Sequence, residues 1–170
     1  MERLTLEQIG VIHSEHHVLA ETPIQPVCAR GSAGRVKLFP QFAEGLDDVE
    51  GFSHVHLIYW LHRMAEMADS IPGTSPLKVV PFLDDVPRGV FATRTPVRPN
   101  PIGLSIVRLV ERRDCDLLVE DLDVLDGTPL LDIKPYVEGF DLRIGTRGGW
   151  TERVSAGTFV ARGERRPDAQ

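Results

Sequence analysis

The sequence predicts a mainly β domain, antiparallel and closed or nearly closed into a barrel, with short helices and long functional loops. Three observations predict it. Short runs rich in β-branched and aromatic residues recur along the chain. Turn residues separate them, and no long stretch carries the 3.6-residue periodicity of a helix.

The elements follow in order. Ile9 to His13 (IGVIH) reads as the first strand. The polar stretch after it holds Pro23, Pro26, Gly31 and Gly34 and reads as a long loop, of the kind that carries function in a compact domain. Arg35 to Phe39 (RVKLF) alternates and is the second strand. PQFAEGLDDVEGF supplies a short helical turn closed at Gly45 and a further turn at Gly51. In Phe52 to Trp60 (FSHVHLIYW), period two sets Phe52, His54, His56 and Ile58 on one face, and Ser53, Val55, Leu57 and Tyr59 on the other.

A polar excursion, RMAEMADSIPGTSPL, precedes a possible strand at Leu77 to Leu83, where Pro81 restricts it to an edge or an end. Gly89 to Thr93 leads into a basic, proline-rich segment. Leu104 to Val110 and Asp116 to Leu122 read as a hairpin. Asp126-Gly127 is a turn dipeptide, and Leu130 to Ile133 is the last strand. From Asp141 the chain is Gly- and Arg-rich, and its last ten residues are expected to be mobile.

Composition excludes several classes. At 170 residues the chain suits one domain or one domain with an appendage. A net charge of −6 argues against a large non-specific nucleic-acid footprint but permits a local basic patch. Cys28 and Cys115 are far apart, which disfavours a disulfide scaffold or a structural zinc site and suits reduced residues in a cytoplasmic protein. The start, MERLTLEQIG, shows no signal-peptide pattern, and no apolar run has membrane-spanning length, so no membrane association is expected. No GxGxxG follows a strand.

The candidate chemistry is uneven. His54 and His56 share a strand face, but no diagnostic ligand spacing accompanies them, so no metal site is expected. Ser105 lacks a nucleophile elbow, and Cys28 has only Arg30 nearby to depress its pKa. TRTPVRPNPIGLS, Thr93 to Ser105, says more. Pro96, Pro99 and Pro101 stiffen the chain around Arg94 and Arg98. Guanidinium groups so held suit a carboxylate, a phosphate or a base face. Asn100 adds a donor and an acceptor, and Gly103 permits close backbone approach. The alternative is a rigid connector whose arginines pair with acidic residues. LDGTPLLDIKPY, Leu125 to Tyr136, joins a polar turn to a strand on which Asp132 and Lys134 alternate with Leu131 and Ile133.

Four stretches together resemble the TsaA-like (TrmO- or YaeB-like) family: TPIQP (Thr22 to Pro26), GFSHVHLIYWLHR (Gly51 to Arg63), VFATRTPVRPNPIGLS (Val90 to Ser105) and LDGTPLLDIKPY. The likeness covers about residues 6–143, which sets residues 1–143 as the barrel domain and 144–170 as a partly mobile tail. The resemblance implies a single-sheet barrel that binds S-adenosylmethionine outside the Rossmann-like architecture. It also implies a homodimer with the cofactor near the subunit boundary. The implied activity is methylation at N6 of threonylcarbamoyladenosine at tRNA position 37.

By the same resemblance the cofactor site draws on Pro23, Ile24, Gln25, His62, Arg63, Arg94, Leu104, Leu125, Asp126, Gly127 and Thr128. Arg98, Lys134 and Tyr136 are the candidates for the acceptor. Asn100 and Asp126 are candidates for the proton acceptor, alongside a backbone carbonyl. Bacterial tRNA-modifying members carry a further C-terminal domain, so a substrate surface without that part, or with a replacement for it, is expected here. Two other readings stay open: a methyltransferase of this fold with a small-molecule acceptor, and a non-catalytic cofactor-binding module.

Overall fold

The computed structural model describes residues 4–63 and 77–164. Most of the expected polar excursion after Arg63, and the last six residues of the tail, lie outside them. Six strands close into one antiparallel barrel: β1 (Gly10–Ser14), β2 (Gly34–Leu38), β3 (His54–Trp60), β6 (Ile102–Arg113), β7 (Asp116–Glu120) and β8 (Thr128–Pro135). They run around the barrel in the order β1-β2-β7-β6-β3-β8, and β8 pairs back onto β1. The expected mainly β, single-sheet barrel is therefore the fold observed.

Alternation builds the core. On β3, Val55, Leu57 and Tyr59 point inward; on β6, Gly103, Ser105, Val107 and Leu109 do so. Ile12, Val36, Leu38, Leu117, Val119 and Leu130 complete the interior from the other strands. Each fully buried aliphatic side chain stabilises the barrel by roughly 1.5–3 kcal/mol, so the fold rests on this interior.

Three strands differ from expectation, and the first is β6, which runs from Ile102 to Arg113 rather than from Leu104 to Val110. Leu77 to Leu83 contributes only β4 (Lys78–Val79), which pairs with β5 (Arg88–Gly89) in a separate two-stranded ribbon. Pro81 has no N–H to extend that ladder. The last strand is longer than Leu130 to Ile133. It reaches Pro135, and its register against β3 slips between Ile58 and Tyr59, so that Tyr59 faces Leu130 but Ile58 faces Asp132.

After the barrel come α1 (Glu138–Asp141), a 3-10 turn at Gly149–Arg153 and α2 (Ala156–Gly163). Ser155 caps α2 by accepting the Thr158 N–H at 3.0 Å. Residues 149–163 fold back onto the barrel. Trp150 Nε1 donates to Ala92 O at 2.7 Å, Arg162 pairs with Asp85, and Ile24 N donates to Gly163 O at 3.1 Å. Among the described residues no helix is long and apolar enough to cross a membrane.

Candidate functional site

A cleft of about 1530 Å3 opens at one end of the barrel. Pockets for drug-sized ligands are usually about 300–1,000 Å3, so this one can hold two partners side by side. All four stretches of the resemblance reach it. Thr22 to Gln25 form one lip, the end of β3 through Arg63 forms another, the segment from Phe91 to Leu104 runs along it, and Leu125 and Thr128 close it. Residues of the tail between Arg147 and Val160 supply the opposite side.

The proline-rich segment is braced from within. Arg98 Nη1 donates to Thr93 O at 3.4 Å and Thr95 O at 3.5 Å, while Val97 and Thr95 are buried beneath it. Pro101 O accepts the Leu61 N–H at 2.8 Å, which ties the segment to the end of β3. Arg94 reaches outward instead, and its Nη1 donates to Gln25 Oε1 at 2.6 Å. The two arginines thus differ: Arg98 folds its own loop, and Arg94 links that loop to the Thr22–Pro26 lip.

Thr128 Oγ1 donates to Leu125 O at 2.7 Å and sits 3.4 Å from His62 Nδ1, which holds the turn against β3. Arg63, Arg94, Arg98 and Arg147 line the cleft, and the carboxylate among its described lining residues is Asp123. A net acidic chain therefore carries a locally basic cleft. Phe82, Phe91, Trp150 and Phe159 add aromatic surface.

Of the residues named from sequence, Pro23, Ile24, Gln25, His62, Arg63, Arg94, Arg98, Asn100, Leu104, Leu125 and Thr128 line this cleft. Four do not. Asp126 accepts the Ser14 N–H at 3.1 Å and lies 3.3 Å from His13 Nδ1 and 3.6 Å from His17 Nδ1, beside the β1 end. Burial pushes its carboxyl up, but the Ser14 and His13 hydrogen bonds and the two imidazoles outweigh that and hold it below its ordinary value. Gly127 takes the left-handed turn position, φ 78°. Lys134 pairs with Asp132 at 2.7 Å, and Tyr136 packs against His54 and His56 on the outward face of β3 and β8. The slip in β8 turns these residues away from the face that Thr128 occupies.

Sequence reasoning missed a buried chain of three groups. Tyr59 Oη lies 2.9 Å from Ser105 Oγ, and Ser105 Oγ donates to Asp123 Oδ1 at 2.5 Å. With its proton given to Asp123, Ser105 accepts from Tyr59. Both Tyr59 and Asp123 line the cleft. Burial raises the Asp123 carboxyl to about 6, against the opposing pull of the Ser105 hydrogen bond, its own backbone N–H and the Arg94 charge. Burial, with the Asp123 charge, also raises the Tyr59 phenol. A visible signal existed for Ser105, a hydroxyl on the inward face of an alternating strand.

The histidine pair on β3 is drawn to other partners. His56 Nε2 lies 3.5 Å from Asp141, and the described residues contain no group of three His, Cys, Asp or Glu able to hold a metal ion. Cys28 is no activated nucleophile. Burial raises its thiol first, and Glu164 and Asp123 raise it further.

Known proteins match this arrangement. The family model for the tRNA-methyltransferase O N-terminal domain matches residues 11–142. A probable S-adenosyl-L-methionine-binding protein of Pyrococcus abyssi is 50% identical over 145 residues, spanning 85% of this chain and 74% of that protein. The tRNA (adenine(37)-N6)-methyltransferase of Escherichia coli is 38% identical over 144 residues, 81% of this chain and 59% of that enzyme. The crystal structure of TrmO from Pseudomonas aeruginosa superposes with a TM-score of 0.70 at 34% identity, covering 88% of this chain but 63% of that one. The barrel, the cleft on which the four motifs converge and these likenesses agree with the resemblance read from sequence: this chain belongs to the TrmO family, through its tRNA-methyltransferase O N-terminal domain.

Proposed function

We propose that this chain is an S-adenosylmethionine-dependent methyltransferase that acts on N6 of threonylcarbamoyladenosine at tRNA position 37. One observation carries the reading: four separated motifs meet in a single cleft that is basic, aromatic and larger than one ligand requires. Its relatives are named for S-adenosyl-L-methionine binding and for N6 methylation of adenine 37 in tRNA.

The residues present fit the cofactor. Buried Leu125 and exposed Leu104 offer apolar surface for a purine. Thr128, His62 and Gln25 offer hydrogen-bonding groups, and Arg94 offers a guanidinium to a carboxylate. When bound, the cofactor supplies a methyl group on a positively charged sulfur, which carries the hard chemistry. The chain's own work is orientation, exclusion of water and removal of a proton. Arg98 and the prolines keep the lip rigid, so little ordering remains for the ligand to impose. Asn100 lies at the exposed rim, where it can orient the acceptor base.

The basic lining suits a polyanion, and the aromatic side chains suit an unstacked base. A homodimer is part of the reading. Ile102, Leu104 and Ile106 form an exposed apolar stripe along the outward face of β6, ended by the Arg108–Glu120 pair, and Ile102 and Leu104 reach the cleft itself. A second copy on that stripe would sit beside the cofactor.

The test uses methyl-labelled cofactor and bulk tRNA from cells with and without the threonylcarbamoyl modification. Label is expected in protein-free tRNA from the modified source alone. Equal labelling of both tRNA pools, or none in either, overturns the acceptor.

A further inference from the structure

The acceptor named above poses a chemical problem. Its N6 lies between a purine ring and a carbamoyl carbonyl, so the nitrogen lone pair is delocalised both ways. It carries one hydrogen. That nitrogen becomes a useful nucleophile only as its N–H proton leaves, so methylation needs a base in reach.

We propose that Asp123, fixed by the Ser105 and Tyr59 hydroxyls in the buried wall of the cleft, takes that proton. In the balanced step the N6–methyl bond forms as the methyl–sulfur bond breaks. The electron pair of the broken bond stays on sulfur, and the N–H proton passes to an Asp123 carboxylate oxygen and then to water. This rests on the acceptor assignment under Proposed function.

Position supports it. Asp123 is the carboxylate among the described lining residues, whereas Asp126 is engaged with Ser14, His13 and His17 outside the cleft. Geometry supports it too. Ser105 donates to Oδ1 at 2.5 Å, the residue's own backbone N–H also bonds the carboxylate, and among the described residues no other side chain donates to it. A carboxylate offers about four acceptor positions, so with these two bonds made it keeps capacity for an incoming N–H. The second member, Tyr59, fixes the direction of the Ser105 hydroxyl by donating to it at 2.9 Å.

The surroundings tune the group for the task. Its carboxyl titrates at about 6, so near neutral pH it is mostly ionised yet more basic than an ordinary carboxylate. The titratable and charged groups facing it are the Tyr59 phenol from β3, the Arg94 guanidinium from the proline-rich segment and the Cys28 thiol from the turn at Pro26–Cys28. Arg94 favours the ionised form; burial opposes it more strongly.

The experiment compares wild type, Asp123→Asn and Ser105→Ala as intact chains, in single-turnover transfer to threonylcarbamoyl-bearing tRNA from pH 5 to 8, with cofactor affinity measured by calorimetry. Wild-type rate is expected to rise with pH and level off above about 6. Asp123→Asn is expected to lose about 10²–10⁴-fold in rate and the pH limb with it, with cofactor affinity within about twofold of wild type. Ser105→Ala removes a hydrogen bond that lowers the carboxyl pKa. It is expected to lower the plateau rate less than Asp123→Asn does and to move the limb upward.

A second readout needs no turnover. Wild type binds more protons folded than unfolded between the ordinary carboxyl pKa of 3.8 and about 6. Its melting temperature should therefore fall, relative to that of Asp123→Asn, as pH rises through that window. Transfer by Asp123→Asn at the wild-type rate with the limb intact overturns the proposal, as does loss of cofactor affinity in that variant. If Asp123→Asn fails to fold, an unmoved limb in Ser105→Ala overturns it. A wild type that labels no tRNA overturns the acceptor assignment instead, and the two failures are thereby distinct.

Discussion

The cleft has two walls of different construction. One belongs to the barrel. Tyr59, Gly103, Asp123, Leu125 and Thr128 come from strands or from turns pinned between strands, and all are buried. The other belongs to the tail, residues 147–160, outside the span that the family model matches. It is held by the Trp150 hydrogen bond to Ala92, Arg88 stacked 4.8 Å above the Trp150 ring, the exposed Arg162–Asp85 pair and the Ile24 contact with Gly163. Exposed ion pairs contribute about 0–1 kcal/mol, and a hydrogen bond about 1 kcal/mol. The barrel wall is a by-product of folding, while the tail wall rests on a few contacts of this size.

That contrast is broken most severely at Gly103. A Cβ there would lie 2.1 Å from Tyr59 Cε2 and 2.4 Å from Cζ. The ring is buried among core strands and cannot step aside as a flexible chain end would. Gly103→Ala is expected to cost about 3 kcal/mol, a fall of roughly 6–12 °C in Tm. The Tyr59–Ser105 hydrogen bond should be lost with it. Thermal unfolding within a degree of wild type would show that the barrel wall yields more easily than its packing indicates.

Arg94→Ala should act on binding and spare the fold. The side chain is exposed, and its hydrogen bond goes to Gln25 across the mouth of the cleft. Losing a charge-assisted contact to the cofactor costs about 1.5–3 kcal/mol, roughly 10–150-fold in affinity. Calorimetry should show that loss with an unchanged Tm. Unchanged affinity would remove Arg94 from the site and leave it a link between two loops.

The barrel wall was legible in the sequence where a single physical rule governed it. Period-two alternation separated the two faces of β3, and strand-rich composition located β3 and the middle of β6, because one face of each is buried and the other is not. On β8 the alternation of Asp132 and Lys134 with Ile133 holds, but it does not carry through to Thr128. Thr128 and Lys134 have equal parity, yet the register slip beside Leu130 sends Lys134 outward, and nothing in LLDIK announces a bulge. Asp123 was hidden for another reason. It lies past the end of β7, beyond Asp121 at φ 63°, where alternation has stopped. Its burial depends on Ser105, eighteen positions earlier in the chain. The tail was illegible because its eight-residue helix and its turn are placed by single long-range contacts, such as buried Gly163 against Cys28. A Gly- and Arg-rich composition carries no trace of them.

Trp150→Ala gives the smallest expected effect and the sharpest contrast between the walls. The indole is anchored at both ends of its polarity: the N–H on Ala92 O and the ring face under Arg88. Truncation removes one hydrogen bond and one cation–π contact, together about 1–2 kcal/mol, from an element that the barrel does not need. The barrel should therefore melt as in wild type, and cofactor affinity should change less than in Arg94→Ala. On the proposed function, the aromatic tail side of the cleft is where a base would stack, so KM for tRNA should rise by roughly 5–30-fold with kcat nearly unchanged. A fall in Tm comparable to that of Gly103→Ala would show that the tail is part of the folding core. A loss of cofactor affinity matching that of Arg94→Ala would assign both walls to the same ligand.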